Sequence, residues 1–172
     1  MIDFSSGKPI LRIEKNIYDR IIEFIGVLFL VALIAIPVIY YKQLPDRIPV
    51  HFNGAGEADG FGGKSSIWIF PAVGLFIWLL MTIVAAFPNI FNYPVKITQQ
   101  NAPVQYRLAV RLIRIMKVVI LLMFSFISFR TIQTAVGKAA GIGKVFLPVF
   151  LVLIGGIIVF YFVQAFNNRQ TF

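Results

Sequence analysis

The sequence predicts an all-α integral membrane protein, with four transmembrane helices in one bundle and residues 1–172 forming a single domain. The chain is 59% hydrophobic and only 13% charged, and its mean hydropathy is +0.85. Residues 24–41, 65–95 and 145–168 contain no charged side chain. About 20 apolar helical residues cross a hydrocarbon core of roughly 30 Å. The predicted spans are residues 22–41, 66–87, 108–134 and 145–166.

The segment before the first span predicts a short interfacial helix. Ile10, Ile13, Ile17 and Ile21 recur at three- and four-residue spacing, which is typical of an amphipathic helix lying on a membrane surface. The apolar run that follows is long and ends without a small-residue cleavage site, so we expect the first span to be retained. Pro37 should kink this span near its outer end.

The loop between the first two spans, residues 42–64, is the least apolar part of the chain. Ile48, Val50 and Phe52 alternate with polar residues and proline, which indicates a brief extended segment. Five of the twelve residues from 53 to 64 are glycine, so tight turns should follow. We therefore expect a structured outer loop, after which Ser65 or Ser66 caps the second span.

Four basic residues of the third helix fall on one helical stripe. Their spacings are four, three and three; they are Arg107, Arg111, Arg114 and Lys117. We favour a collar of cations that reach the headgroups and fix the depth of the helix. A face that binds anionic lipid or a protein partner is the alternative. Near the other end, Arg130 should lie at the interface and meet Glu57 or Asp59.

The charge distribution predicts how the chain is oriented. Lys and Arg number ten on the side of the termini and second loop, and six on the side of the first and third loops. The positive-inside rule then places both termini in the cytoplasm. We expect a multi-pass protein of the bacterial cytoplasmic (inner) membrane. The net charge of +9 is better explained by lipid headgroups than by nucleic acid, which we do not expect as a partner.

The loop from 44 to 64 contains a recognisable pattern. It reads Leu-Pro-x-x-Ile-Pro-x-His-Phe, then Gly-x-x-Asp-Gly, then Lys. The matching residues are Leu44, Pro45, Ile48, Pro49, His51, Phe52, Gly56, Asp59, Gly60 and Lys64. This stretch resembles a bacterial membrane domain of unknown function that forms the N-terminal part of SdpI-type proteins, the immunity proteins against the sporulation-delay toxin. The resemblance implies a type of membrane domain more than an activity.

The loop also supplies the candidate site residues. The groups expected to face a ligand or partner are His51, Asn53, Glu57, Asp59 and Lys64. The residues expected to shape the loop are Pro45, Pro49, Gly56 and Gly60. Three interpretations remain open: a recognition loop, a metal or anion site, and a structural plug with an internal hydrogen bond from His51 to Asp59. A nucleotide-binding P-loop is excluded because Ala58 replaces its first glycine and no buried strand precedes it.

The sequence favours a non-enzymatic role. It has no cysteine and one histidine. This excludes a disulfide framework, a thiolate nucleophile and a cluster of histidines within the chain. We predict no metal and no cofactor. We expect an immunity, sensor or accessory role that acts through loop 42–65. The expected partners are membrane lipid and an extracytoplasmic peptide or membrane protein. An oligomer is also compatible with the sequence. One alternative is a small proton-coupled transporter or exporter that uses Glu23, although we favour an interfacial Glu23 beside Arg20. The other is a purely structural subunit.

Overall fold

The computed structural model describes residues 7–169 and is mostly helical. Four helices are long and apolar enough to cross a membrane, as predicted. They contain the α-helices α1 (Ile17–Tyr40), α2 (Ile69–Val84), α3 (Ala102–Ala135) and α4 (Phe146–Asn167). Short 3-10 helices extend the first span to Gln43 and start the second at Lys64. Two strands, β1 (Arg47–Phe52) and β2 (Ala58–Gly63), lie between α1 and α2. The mostly helical, four-span fold is confirmed, and it contains in addition a small two-stranded sheet. The two ends of the predicted domain lie outside the described residues.

The predicted interfacial helix is not present. Residues 9–16 have no helical structure, and α1 begins only at Ile17. The Asn16 side chain accepts a hydrogen bond from the Asp19 amide at 2.9 Å, and the Asp19 carboxylate accepts one from the Asn16 amide at 3.1 Å. This capping box fixes the helix start. The preceding segment lies on the bundle, where the Tyr106 hydroxyl donates to the Pro9 carbonyl at 2.9 Å.

Helix α3 is the centre of the fold and packs against the other three helices and β1. Its 34 residues make a helix of about 50 Å, which exceeds the roughly 30 Å hydrocarbon core. Leu30 and Leu33 of α1 pack with Leu121 of α3. Gly74 of α2 lies where a Cβ would collide with the side chain of Leu33. A glycine there lets α2 approach α1 closely.

The C-terminal end of α4 is hydrogen-bonded to α3. Ala165 is its one buried residue. The Gln105 side-chain amide of α3 donates to the carbonyls of Ala165 at 2.9 Å and Asn168 at 3.0 Å. Most other α4 side chains are apolar and exposed, as expected of a helix whose outer surface is covered by lipid.

Candidate functional site

The loop between α1 and α2 is an antiparallel β-hairpin. β1 pairs with β2 from Arg47 opposite Gly63 to Phe52 opposite Ala58, with irregular register around His51. The extended segment was predicted; its pairing was not, because 58–63 is glycine-rich and lacks the usual strand composition. A Cβ at Gly60 would lie 2.9 Å from the Cβ of His51. The glycines of β2 therefore allow close contact with β1.

A small apolar cluster fixes the hairpin on the bundle. Leu44 and Ile48 are buried against Ile67, which precedes α2, and Ile132 of α3. Pro49 is also buried, whereas Pro45 is exposed in the turn before β1. The base of the hairpin is thus packed on the bundle, and its exposed residues project from this packed base.

The tip of the hairpin is built around Asn53. Its side-chain oxygen accepts hydrogen bonds from the amides of Ala55 at 2.9 Å and Glu57 at 3.1 Å, and its Nδ2 donates to the Glu57 carboxylate at 3.2 Å. Such a turn is typical of asparagine. Gly56 is buried at φ +78°, and its carbonyl accepts a hydrogen bond from the Ile142 amide at 2.8 Å. The tip is thereby joined to the α3–α4 loop.

Arg130 stabilises that loop instead of pairing with the hairpin carboxylates. Its Nε donates to the Gly141 carbonyl at 2.8 Å, and a second guanidinium nitrogen donates to the same oxygen. The prediction that Arg130 meets Glu57 or Asp59 is wrong. The Gly141 carbonyl, which faces the end of α3, takes the place of a carboxylate as the hydrogen-bond partner of the Arg130 guanidinium. The backbone of Glu57 forms a β-bridge with Gly141.

The five predicted ligand-facing residues form separate pairs. His51 Nδ1 and Asp59 Oδ1 are 2.5 Å apart, and the two side chains are 69% and 44% exposed. Asn53 contacts Glu57 at the tip. Lys64 lies 3.2 Å from the carboxylate of Asp46. Within residues 7–169, no group of three or more acidic or histidine side chains could hold a metal ion. The exposed side chains of the hairpin therefore lie on its surface as separate pairs.

A second polar group lies at the opposite end of the bundle, between α1 and α3. It consists of Asp19 and Glu23 of α1 and Arg111, Arg114 and Lys117 of α3. Arg114 lies 3.1 Å from Asp19 and 3.3 Å from Glu23. Arg111 lies 3.3 Å from Asp19, and Lys117 lies 2.7 Å from Glu23. We call these five residues the charge cluster.

The charge cluster corrects two interpretations of the sequence. Arg114 and Lys117 do not reach toward headgroups: their side chains are 6% and 1% exposed. Glu23 pairs with these two cations and not with Arg20. Charges within a membrane-spanning bundle face its interior and pair with one another, which explains the arrangement. The sequence signal was the spacing of Asp19 and Glu23, which puts both carboxylates on one face of α1.

The charge cluster is extended by α2. Lys117 donates to the hydroxyl of Thr82 at 2.9 Å, and its ammonium lies 5.4 Å from the ring centroid of Trp78. Lys117 therefore has one carboxylate, one hydroxyl and one aromatic face as partners. This set compensates for the loss of water around a buried ammonium.

Part of the chain, including the hairpin, is similar to known sequences. Residues 28–75 match the family model described as Domain of unknown function (DUF1648), a stretch from the middle of α1 through the hairpin into α2. An uncharacterized protein of Archaeoglobus fulgidus is 33% identical over 66 residues. That match covers 34% of this chain and 36% of the archaeal protein, so the chain spans about a third of its relative. No solved structure matches.

Proposed function

We propose that this multi-pass membrane protein recognises a peptide or protein partner through its hairpin, in an immunity, sensor or accessory role. The observation that supports this function is an exposed mixture of side chains on a hairpin that an apolar cluster packs against the bundle. Arg47, His51 and Asp59 are exposed there, and Phe61 is 52% exposed. Aromatic residues and arginine are enriched in protein interfaces and their hot spots.

The side on which recognition occurs follows from charge. The hairpin lies at the end of the bundle away from the basic N-terminal segment and the charge cluster, so the positive-inside rule favours an extracytoplasmic position. The chain has no cysteine, so single cysteines at Asn53 and Glu57 can be labelled cleanly. We expect a membrane-impermeant maleimide to label both in intact cells. Labelling only after lysis would refute this orientation.

The transport alternative is less well supported by the geometry. It requires Glu23 to take up and release a proton. Glu23 lies between Arg114 and Lys117, and a neutral Glu23 would leave the buried Lys117 without its carboxylate partner. Removing one partner of a buried ion pair is costly. Glu23 therefore fits a structural pairing role better than that of a proton carrier.

Recognition can be tested with the double variant His51→Ala, Asp59→Ala in a strain that lacks the wild-type chain. We expect normal membrane levels together with loss of tolerance to a peptide toxin or to envelope stress. The matched control is Lys138→Ala, which removes an exposed charge at the same end but outside the hairpin and should restore full tolerance. Normal levels with unchanged tolerance of the double variant would refute recognition through this pair. Loss of folded protein would instead support a structural role for it.

A further inference from the structure

A cavity of about 790 Å³ opens beside the charge cluster. Its polar lining residues include Arg12, Lys15, Arg20, Glu23, Thr82 and Arg114. Ligand pockets in proteins typically measure about 300–1,000 Å³. The cavity lies between the segment that precedes α1, the start of α1 and the end of α2, and none of the hairpin residues contributes to it.

The charge of the cavity favours an anion. Four basic and two acidic residues line it. One of the acidic residues, Glu23, is already paired with Arg114 and Lys117. In the charge cluster itself, three cations share two carboxylates. Basic residues therefore outnumber acidic ones around the cavity even when Glu14, the second acidic residue, is counted. This excess of positive charge attracts anions.

Arg114 lines one wall of the cavity. Its side chain is 6% exposed and lies within ion-pair distance of Asp19 and Glu23. Its Nε and Nη1 are buried and face these two carboxylates, so they are not open to a ligand. A guanidinium presents a planar set of five donors that suits phosphate. Arg114 is thus held by ion pairs and contributes positive charge to the wall, whereas the exposed guanidinium groups of Arg12 and Arg20 are open to a ligand.

The depth of the cavity matches the headgroup region. The uncharged run of α1 starts immediately after Glu23 and continues to residue 41, a rise of about 27 Å that nearly covers the hydrocarbon core. Glu23 therefore lies at the edge of the core. Ala85, Ala86 and Pro88 form an apolar part of the lining, which suits the glycerol and upper acyl region of a lipid.

We propose that this cavity binds the phosphate-bearing headgroup of an anionic membrane lipid. Arg12, Lys15 and Arg20 contact the phosphate from the open side, while Arg114 forms the inner wall. Inorganic phosphate shares this chemistry but lacks the acyl chains that the apolar lining would accommodate. This inference is independent of recognition by the hairpin.

The fluorescence of Trp78 can report on the cavity. Its ring lies beside the Lys117 ammonium, and its carbonyl accepts a hydrogen bond from Thr82, a residue of the cavity wall that also binds Lys117. The chain has two tryptophans, and the other, Trp68, lies at the hairpin end beside Tyr41. The experiment uses the full chain with Trp68→Phe in neutral detergent. It is titrated with short-chain phosphatidylglycerol, with phosphatidylcholine of the same chain length, and with inorganic phosphate.

We expect a saturable change of Trp78 fluorescence with phosphatidylglycerol and none with phosphatidylcholine or millimolar inorganic phosphate. Arg12→Gln combined with Arg20→Gln should weaken phosphatidylglycerol binding by about tenfold or more. Both side chains are exposed, so the variant should still fold. The control, Lys138→Gln combined with Lys144→Gln, removes the same charge at the hairpin end and should change binding by less than about twofold.

Three results would overturn the proposal. An equal response to phosphatidylcholine would mean that the cavity does not select for charge. Equal weakening by the two double variants would mean general attraction to a basic protein. Saturation by inorganic phosphate at the same concentrations as the lipid would assign the cavity to a free anion.

Discussion

The two ends of the bundle form the same kinds of ion pair in opposite environments. At the hairpin end, Lys64 pairs with Asp46, and the side chains are 39% and 94% exposed. At the other end, Arg114 pairs with Asp19, and the side chains are 6% and 0% exposed. Exposed pairs contribute about 0–1 kcal/mol, whereas breaking a buried pair costs about 3–5 kcal/mol. Burial, and not the number of pairs, therefore decides at which end the loss of one partner destabilises the fold.

The largest expected effect is therefore that of Asp19→Ala. It leaves Arg114 and Arg111 without their shared carboxylate, and we expect a loss of about 3–5 kcal/mol in the free energy of unfolding. Denaturant titration of the detergent-solubilised protein, followed by tryptophan fluorescence, measures this loss.

Two variants serve as controls for Asp19→Ala. Asp46→Ala removes the exposed carboxylate and should cost less than about 1 kcal/mol. Asn16→Ala removes the reciprocal cap that also involves Asp19 and should cost about 1 kcal/mol. Equal losses for Asp19→Ala and Asp46→Ala would break the comparison between the two ends.

An intermediate effect is expected from Gly56→Ala at the hairpin tip. Gly56 has φ +78°, and an added Cβ would lie 2.5 Å from the carbonyl oxygen of Gly143. We expect a loss of about 1–3 kcal/mol and faster proteolysis of the hairpin, because the tip would separate from the α3–α4 loop. Gly54→Ala is the matched control, since nothing lies within 4 Å of its Cβ. Unchanged stability of Gly56→Ala would mean that the contact between the tip and that loop does not hold the hairpin.

The smallest expected effect is that of the His51–Asp59 pair on stability. Both side chains are exposed, so a double-mutant cycle with alanine should give a coupling energy below about 1 kcal/mol. The same denaturant titration measures it. A coupling well above this value would assign the pair a structural role and would weaken the case for recognition.

Local patterns were sufficient to predict the spans and the extended segment, and to include the contact of His51 with Asp59 in one of three open interpretations. These two residues are 8 positions apart, within the reach of one hairpin. The charge cluster could not be predicted in the same way. Arg111 and Asp19 are 92 positions apart, and Lys117 and Glu23 are 94. A basic stripe on one helix is equally consistent with lipid headgroups as partners and with carboxylates on another helix.

Composition alone made this chain a membrane protein, because its uncharged runs are long enough to span the hydrocarbon core and too apolar to be stable in water. Tertiary structure decided which charges are buried. Only when α1 and α3 pack with Asp19 and Glu23 against Arg114 and Lys117 do these side chains gain partners strong enough to replace water. Tertiary structure also decided that Gly56 contacts the α3–α4 loop. No sequence pattern in either segment indicates this contact.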